Sequence, residues 1–199
     1  MPHRTHDRAR NTLSTIDRWK LFDNLRRSLV PLGVLALLIA GLLFLPGSGL
    51  AWTAFALSPY LIPVLTNFLA ELRRSFSKEY STVVTQPLRL AVLRSLFQVV
   101  FLPHEAFIIL DAVSTTLVRL FITHNRMLQW VTAAHTVQLF GKRLRLRSAW
   151  QAMIVAPTMA ILFLIPLFLF QHPAVLLAAP FLIAWTISPY IATRISQPY

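Results

Sequence analysis

The sequence contains no cysteine, only 5 glycines and only 7 acidic residues among 199. Without cysteine there is no disulfide framework, no thiolate metal site and no Cys nucleophile. With so few glycines there is no Gly-rich phosphate loop, and no nucleophile elbow occurs. Charge is scarce too, at 13% of residues, about half the share in an ordinary soluble domain. Acidic residues this sparse leave little for paired-carboxylate chemistry. The six histidines show no metal-ligand spacing, so no metal site is expected.

What remains is apolar: 56% of the chain is hydrophobic and its mean hydropathy is +0.60. That composition excludes disorder, since disordered chains are poor in apolar residues. The net charge of +12 would suit a nucleic-acid binder, but the hydropathy does not. The two together describe a multi-spanning membrane protein with basic flanks. No cleavable signal is read, because the first apolar run begins only near Leu29, after a basic stretch.

Four segments are long and apolar enough to cross a bilayer: 29–45, 50–70, 149–170 and 174–193. The first pair is joined by Pro46-Gly47-Ser48-Gly49 and the second by Gln171-His172-Pro173, neither turn carrying Lys or Arg. The spans offer Thr66, Asn67, Gln151 and a few hydroxyls, but no charged group. The fold predicted is all-α, with four transmembrane helices as two hairpins and central amphipathic helices that are interfacial or re-entrant. Its parts are a basic tail and interfacial helix (1–28), hairpin 1 (29–70), amphipathic helices (71–148), hairpin 2 (149–193) and a short tail (194–199).

The cations give the orientation. Seven Lys and Arg precede the first hairpin, eleven lie between the hairpins and one, Arg194, follows the second. The positive-inside rule then places both termini and the central region in the cytoplasm. The segment Ser95–Ile122 is apolar but interrupted by Pro103, Glu105, Asp111 and Arg119. A single crossing would expose one basic flank outside. Two crossings need about 34–40 residues, and only 28 are present. Helices lying along the interface, or a re-entrant hairpin broken at Pro103, fit better.

Three stretches bear on function. Between Ser14 and Arg27, a capping-box pattern (Ser14, Asp17) opens a helix on which Ile16, Trp19, Phe22 and Leu25 recur at helical spacing. It reads as an interfacial helix anchored by Trp19, and also as one that docks a cytoplasmic domain and lets its Arg residues approach a phosphorylated substrate. From Leu102 on, Glu105, Asp111, Thr115, Arg119 and Arg126 fall within about 120° of one another on a helix. That stripe faces water if the helix lies at the interface and marks a functional site if it lies in lipid. The run Lys142-Arg143-Leu144-Arg145-Leu146-Arg147 reads as an anchor on anionic lipid. A weaker echo pairs Ser58-Pro59-Tyr60 with Ser188-Pro189-Tyr190. Each proline frees a carbonyl that neighbouring helices must satisfy.

At these stretches the chain resembles the cyclic β-1,2-glucan synthases, bacterial inner-membrane glycosyltransferases. The similarity is carried by RWKLFDNLRRSLVP (Arg18–Pro31), FLPHEAFIILDAV (Phe101–Val113), LVRLF (Leu117–Phe121), WVTAA (Trp130–Ala134) and ISPYIATRISQP (Ile187–Pro198). His104 departs from it, standing where an aromatic residue is expected. Arg18-Trp19 superficially suits the Gln-x-x-Arg-Trp acceptor-site motif of processive glycosyltransferases, but Thr15 occupies the first position and the match is rejected.

The resemblance implies a membrane block between two cytoplasmic regions. One is a glycosyltransferase domain that binds UDP-glucose through acidic residues and a divalent metal. The other is a phosphorylase-like region that trims chain length. Neither is present here, so this chain is expected to carry no catalytic residue, cofactor or metal site. The unusual first dozen residues point to a truncated, split or alternatively started reading frame. The expected partners are the lipid bilayer, those two domains in the same or a neighbouring chain, and β-1,2-glucan, with no nucleic acid. Substrate or domain contacts are assigned to Trp19, Arg26, Arg27, Glu105, Asp111, Arg119 and Trp130. The alternatives are a transporter-like membrane fragment, a non-catalytic scaffold or a gene remnant.

Overall fold

The computed structural model describes residues 14–76, 85–123, 150–169 and 173–196. Among these every regular element is helical: α1 (Thr15–Ser28), α2 (Val30–Leu43), α3 (Gly49–Phe76), α4 (Thr85–Val100), α5 (Leu102–Val118, continued by a π-helical turn, Arg119–Thr123), α6 (Val155–Leu169) and α7 (Val175–Ile195). The all-α membrane architecture expected from the sequence is the architecture found.

Helix α1 starts where Ser14 caps it, its hydroxyl accepting from the Asp17 amide at 3.2 Å and donating to the Asp17 carboxylate at 2.7 Å. It buries none of its residues. The chain bends by 43° between α1 and α2. Pro31 lies in the first turn of α2 and has no N–H for the Arg27 carbonyl, which accounts for the bend.

Helices α2 and α3 form the first hairpin. Gly47 takes a left-handed φ of 101° in its turn, a conformation glycine adopts without strain. The Trp52 indole donates to the Pro46 carbonyl at 3.0 Å and fastens the turn. Gly41 lies where a side chain has no room: an added Cβ would stand 2.6 Å from Trp52 Cβ. A Cβ on Gly49 would meet Leu42 at 3.5 Å and Leu177 at 3.6 Å. Leu177 is in the first turn of α7, so both hairpin turns lie at one end of the bundle. The other end carries Arg27, Arg73 and Arg194 and is called the basic end below.

The second hairpin is broken near its start. Residues 150–152 are helical, a turn follows at 153–154, and α6 then runs 15 residues, short of the roughly 17 that cross unaided. Pro157 has no N–H for the Met153 carbonyl, which is taken instead by the Ala156 amide at 3.1 Å, a tight turn that breaks the helix. The segments long and apolar enough to cross are Gly49–Arg73, Leu102–Thr123 and Val175–Ile195, with the bent α1–α2 pair as a fourth.

The core is aromatic at its centre. Trp185 is completely buried, with the rings of Phe163 and Phe181 6.2 and 6.3 Å away. Leu38, Leu42, Leu102 and Leu167 close around it. Outside, large apolar side chains such as Phe168 and Leu176 stand exposed, as a lipid-facing surface requires.

Candidate functional site

Helices α4 and α5 decide where the polar groups sit. Ser95 on α4 donates to the Tyr60 carbonyl on α3 at 2.7 Å. Eight residues link the two helices. A parallel pairing would put Thr85 some 39 Å from Phe76, beyond the ~30 Å that such a linker stretches, so α4 runs antiparallel to α3. Tyr60 lies eleven residues from Gly49, which at 1.5 Å per residue is about 16 Å from the turn end, half the thickness of a hydrocarbon core. Further along α4, the Trp185 indole donates to the Val99 carbonyl at 3.0 Å. The tip of α4 therefore reaches at least to mid-depth.

From that tip α5 turns back. Pro103, Ala106, Phe107 and Leu110 share the wall of a 250 Å³ cavity with Leu32 and Leu35 of α2 and with Val155 and Met159, the basic-end turns of α6. The break between α4 and α5 falls at Phe101, and Pro103 occupies the first turn of α5, buried. This packing puts the start of α5 inside the bundle, where a re-entrant placement would have it. The 22 residues Leu102–Thr123 are long enough to cross, but they set out from inside the bundle.

Proline explains the tip chemically. Val99 lies four residues before Pro103, whose missing N–H leaves the Val99 carbonyl without a helical donor; the Trp185 indole supplies one. The same device recurs on α7, where Pro189 frees the Trp185 carbonyl and the Ser188 hydroxyl donates to it at 2.8 Å. The donor comes from the same helix, not from a neighbouring one as the sequence suggested. Ser58, before Pro59 in the echoing triplet, makes no such bond among the described residues.

The sequence-assigned contact residues form two separate groups. On α1, Trp19 is two-thirds exposed. Arg26 and Arg27 both pair with Asp23, at 2.9 and 2.7 Å. The hydrogen bond from Arg26, with the charges of Arg27 and Arg26, holds the Asp23 carboxyl below its ordinary value against the opposing effect of desolvation. On α5, Glu105 is half-buried and within electrostatic reach of the Tyr60 hydroxyl. Asp111 is exposed and Arg119 intermediate. The stripe therefore does not present one uniform face to water. Trp130 and Arg126 lie outside the described residues.

Among the described residues, three side-chain polar atoms are buried without a partner: Tyr60 Oη, His104 Nδ1 and Glu71 Oε2. Tyr60 and His104 were not singled out as contacts by sequence reasoning, nor was Arg94, a cation on the largely apolar α4. The signal for Arg94 was available, since a charge within an apolar helix is by default of functional interest. No cluster of three or more His, Cys, Asp or Glu able to hold a metal occurs among the described residues.

No family model matches the chain. The sequence is 31% identical over 193 residues to the cyclic beta-(1,2)-glucan synthase NdvB of Rhizobium meliloti (strain 1021). That alignment takes in 94% of this chain and 7% of the synthase, so the chain spans about a fourteenth of its relative's length. The resemblance carried by Arg18–Pro31 and Phe101–Val113 thus extends over nearly the whole chain.

Proposed function

We propose that the chain is the membrane module of a cyclic β-1,2-glucan synthase-like glycosyltransferase, anchoring catalytic domains and shaping part of a glucan path. The observation that carries this reading is a similarity running through the membrane helices from end to end rather than through an isolated motif. The all-α architecture and its apolar exterior support an anchoring role. In this reading the protein is multi-pass in a bacterial inner membrane with both termini cytoplasmic. UDP-glucose and a divalent metal belong to a glycosyltransferase domain on the same or a neighbouring chain, and a phosphorylase-like region adjusts product length.

The assigned contacts divide by position. Trp19, Arg26 and Arg27 on α1 lie outside the bundle and suit a docking domain. Glu105, Asp111 and Arg119 follow the returning arm of the re-entrant pair and suit the glucan or the domain that delivers it. The reading is tested by deleting the gene in its host and measuring β-1,2-glucan, with complementation by the wild-type chain and by the Glu105, Asp111 and Arg119 alanine variants. Loss of glucan restored only by the wild type is the expected result. Unchanged glucan on deletion would overturn the function; full rescue by the alanine variants at normal membrane level would remove the contact role alone.

A further inference from the structure

The groove between α3 and α4 holds a charge that no described residue neutralises. It is about 430 Å³ and is lined by Pro59, Pro63 and Asn67 on one side and by Arg94, Ser95 and Gln98 on the other. That size lies within the ordinary range for ligand sites. Ser95 bonds the Tyr60 carbonyl, so the neighbouring Arg94 leaves the backbone near mid-depth. A cation at that depth is costly unless it is paired or reaches water. Arg94 has no ion pair and no hydrogen bond among the described residues, and no acidic side chain lines the groove. Arg94 is exposed, and no described residue supplies it with an anion.

We propose that this groove binds an anionic phospholipid, with the Arg94 guanidinium paired to the headgroup phosphate. The fork of N–H groups on arginine matches a phosphate in two-point contact. The arginine stem can extend toward the basic end, where headgroups lie. Beside it, Pro63 has no N–H for the Pro59 carbonyl, and Pro59 lines the groove; that carbonyl is an acceptor for a headgroup hydroxyl. Asn67 donates one amide hydrogen to the Pro63 carbonyl at 2.6 Å, leaving the other, with the Gln98 amide, for the phosphate or its ester oxygens. Leu90 lines the groove and is exposed, offering apolar surface to an acyl chain. No Trp, Tyr or Phe lines the groove, so it lacks the stacking platform a sugar ring would use. The proposal does not depend on the glucan reading.

The test uses the full chain in nanodiscs of phosphatidylcholine mixed with phosphatidylglycerol, with lipid retained after transfer to detergent read by native mass spectrometry. Wild type is expected to retain phosphatidylglycerol, and Arg94→Gln to retain about tenfold less, as the loss of a charge-assisted contact implies. Arg94→Lys should fall between them. Arg89→Gln removes the same charge from the same helix outside the groove lining and should match wild type. Gln98→Leu gives a second reading should Arg94→Gln lose helicity, and is expected to lower retention. Equal retention in the Arg94→Gln and Arg89→Gln proteins would overturn the proposal. So would loss of the lipid from wild type on adding inorganic phosphate, which assigns the groove to a soluble phosphate, or on adding a β-1,2-linked glucose oligosaccharide, which assigns it to sugar.

Discussion

The indole of Trp185 donates to the main-chain carbonyl of Val99 across 86 positions of sequence, at 3.0 Å. The bond substitutes for the N–H that Pro103 lacks, and it fixes how deep the α4–α5 tip sits. Because the ring is wholly buried between Phe163 and Phe181, water cannot replace the donor.

Trp185→Phe keeps most of the ring and removes the donor. Interhelical bonds of this kind in membrane proteins are worth about 0.6 kcal/mol and up to about 1.7, and a loss toward the upper figure is expected at so dry a site. Pro103→Ala restores an amide that can serve Val99. Trp185→Phe should therefore cost less in the Pro103→Ala background, and thermal unfolding of the four proteins in detergent measures that coupling. Additive effects would show that the two residues do not share the carbonyl.

Ser188 and Ser58 precede prolines in matching triplets but should respond differently. Ser188 is fully buried and its hydroxyl occupies the Trp185 carbonyl. Ser188→Ala leaves that acceptor empty, at about 1–3 kcal/mol. Ser58 makes no such bond among the described residues, and Ser58→Ala should be nearly silent. Equal losses in thermal stability would remove the distinction.

Glycine substitutions separate packing from propensity. At Gly41 a methyl would meet Trp52 Cβ at 2.6 Å, and Gly41→Ala should destabilise the first hairpin by about 1–3 kcal/mol. Around Gly33 there is nothing within 4 Å. Gly33→Ala should stabilise α2 by about 0.5–1 kcal/mol. Opposite signs in the melting temperature are the expected outcome.

The spans most legible from sequence were those set by local composition. The runs 29–45, 50–70 and 174–193 fall within or overlap α2, α3 and α7, because apolar length alone determines them. Within the run 149–170 a turn at 153–154 breaks the helix, which hydropathy does not register because it comes from the N–H that Pro157 lacks. The depth of α4 and α5 depends on two hydrogen bonds, between Ser95 and Tyr60 and between Trp185 and Val99. Their partners lie 35 and 86 residues apart, and no periodicity links them. The groove was missed for a related reason. The ambiguous segment was taken to begin at Ser95, one residue after Arg94. Glu105 was read on one polar stripe with Asp111 and Arg119, but its half-burial comes from the packing of α5 against α2.

Helix α1 gives a prediction outside the spans. The Arg26 hydrogen bond and the two guanidinium charges lower the Asp23 carboxyl from its ordinary value. A depressed folded value means that the ion pairs contribute above the unfolded aspartate range, ~3.9, and that this contribution is lost as pH falls through the lower folded value. The Asp23 carboxyl carbon, followed by NMR in micelles, should titrate with a midpoint below the ordinary aspartate range. Arg26→Gln should raise that midpoint more than Arg27→Gln, because the Arg26 bond is the largest contribution. Added salt should raise it too, since the pair is exposed and screened. Asp23→Asn frees both guanidiniums at neutral pH. If Arg26 and Arg27 contact a phosphorylated substrate or a docking domain, they must leave Asp23 to do so, and Asp23→Asn should then strengthen that association. A midpoint at or above the ordinary value would show that the Asp23 pairs do not persist in solution.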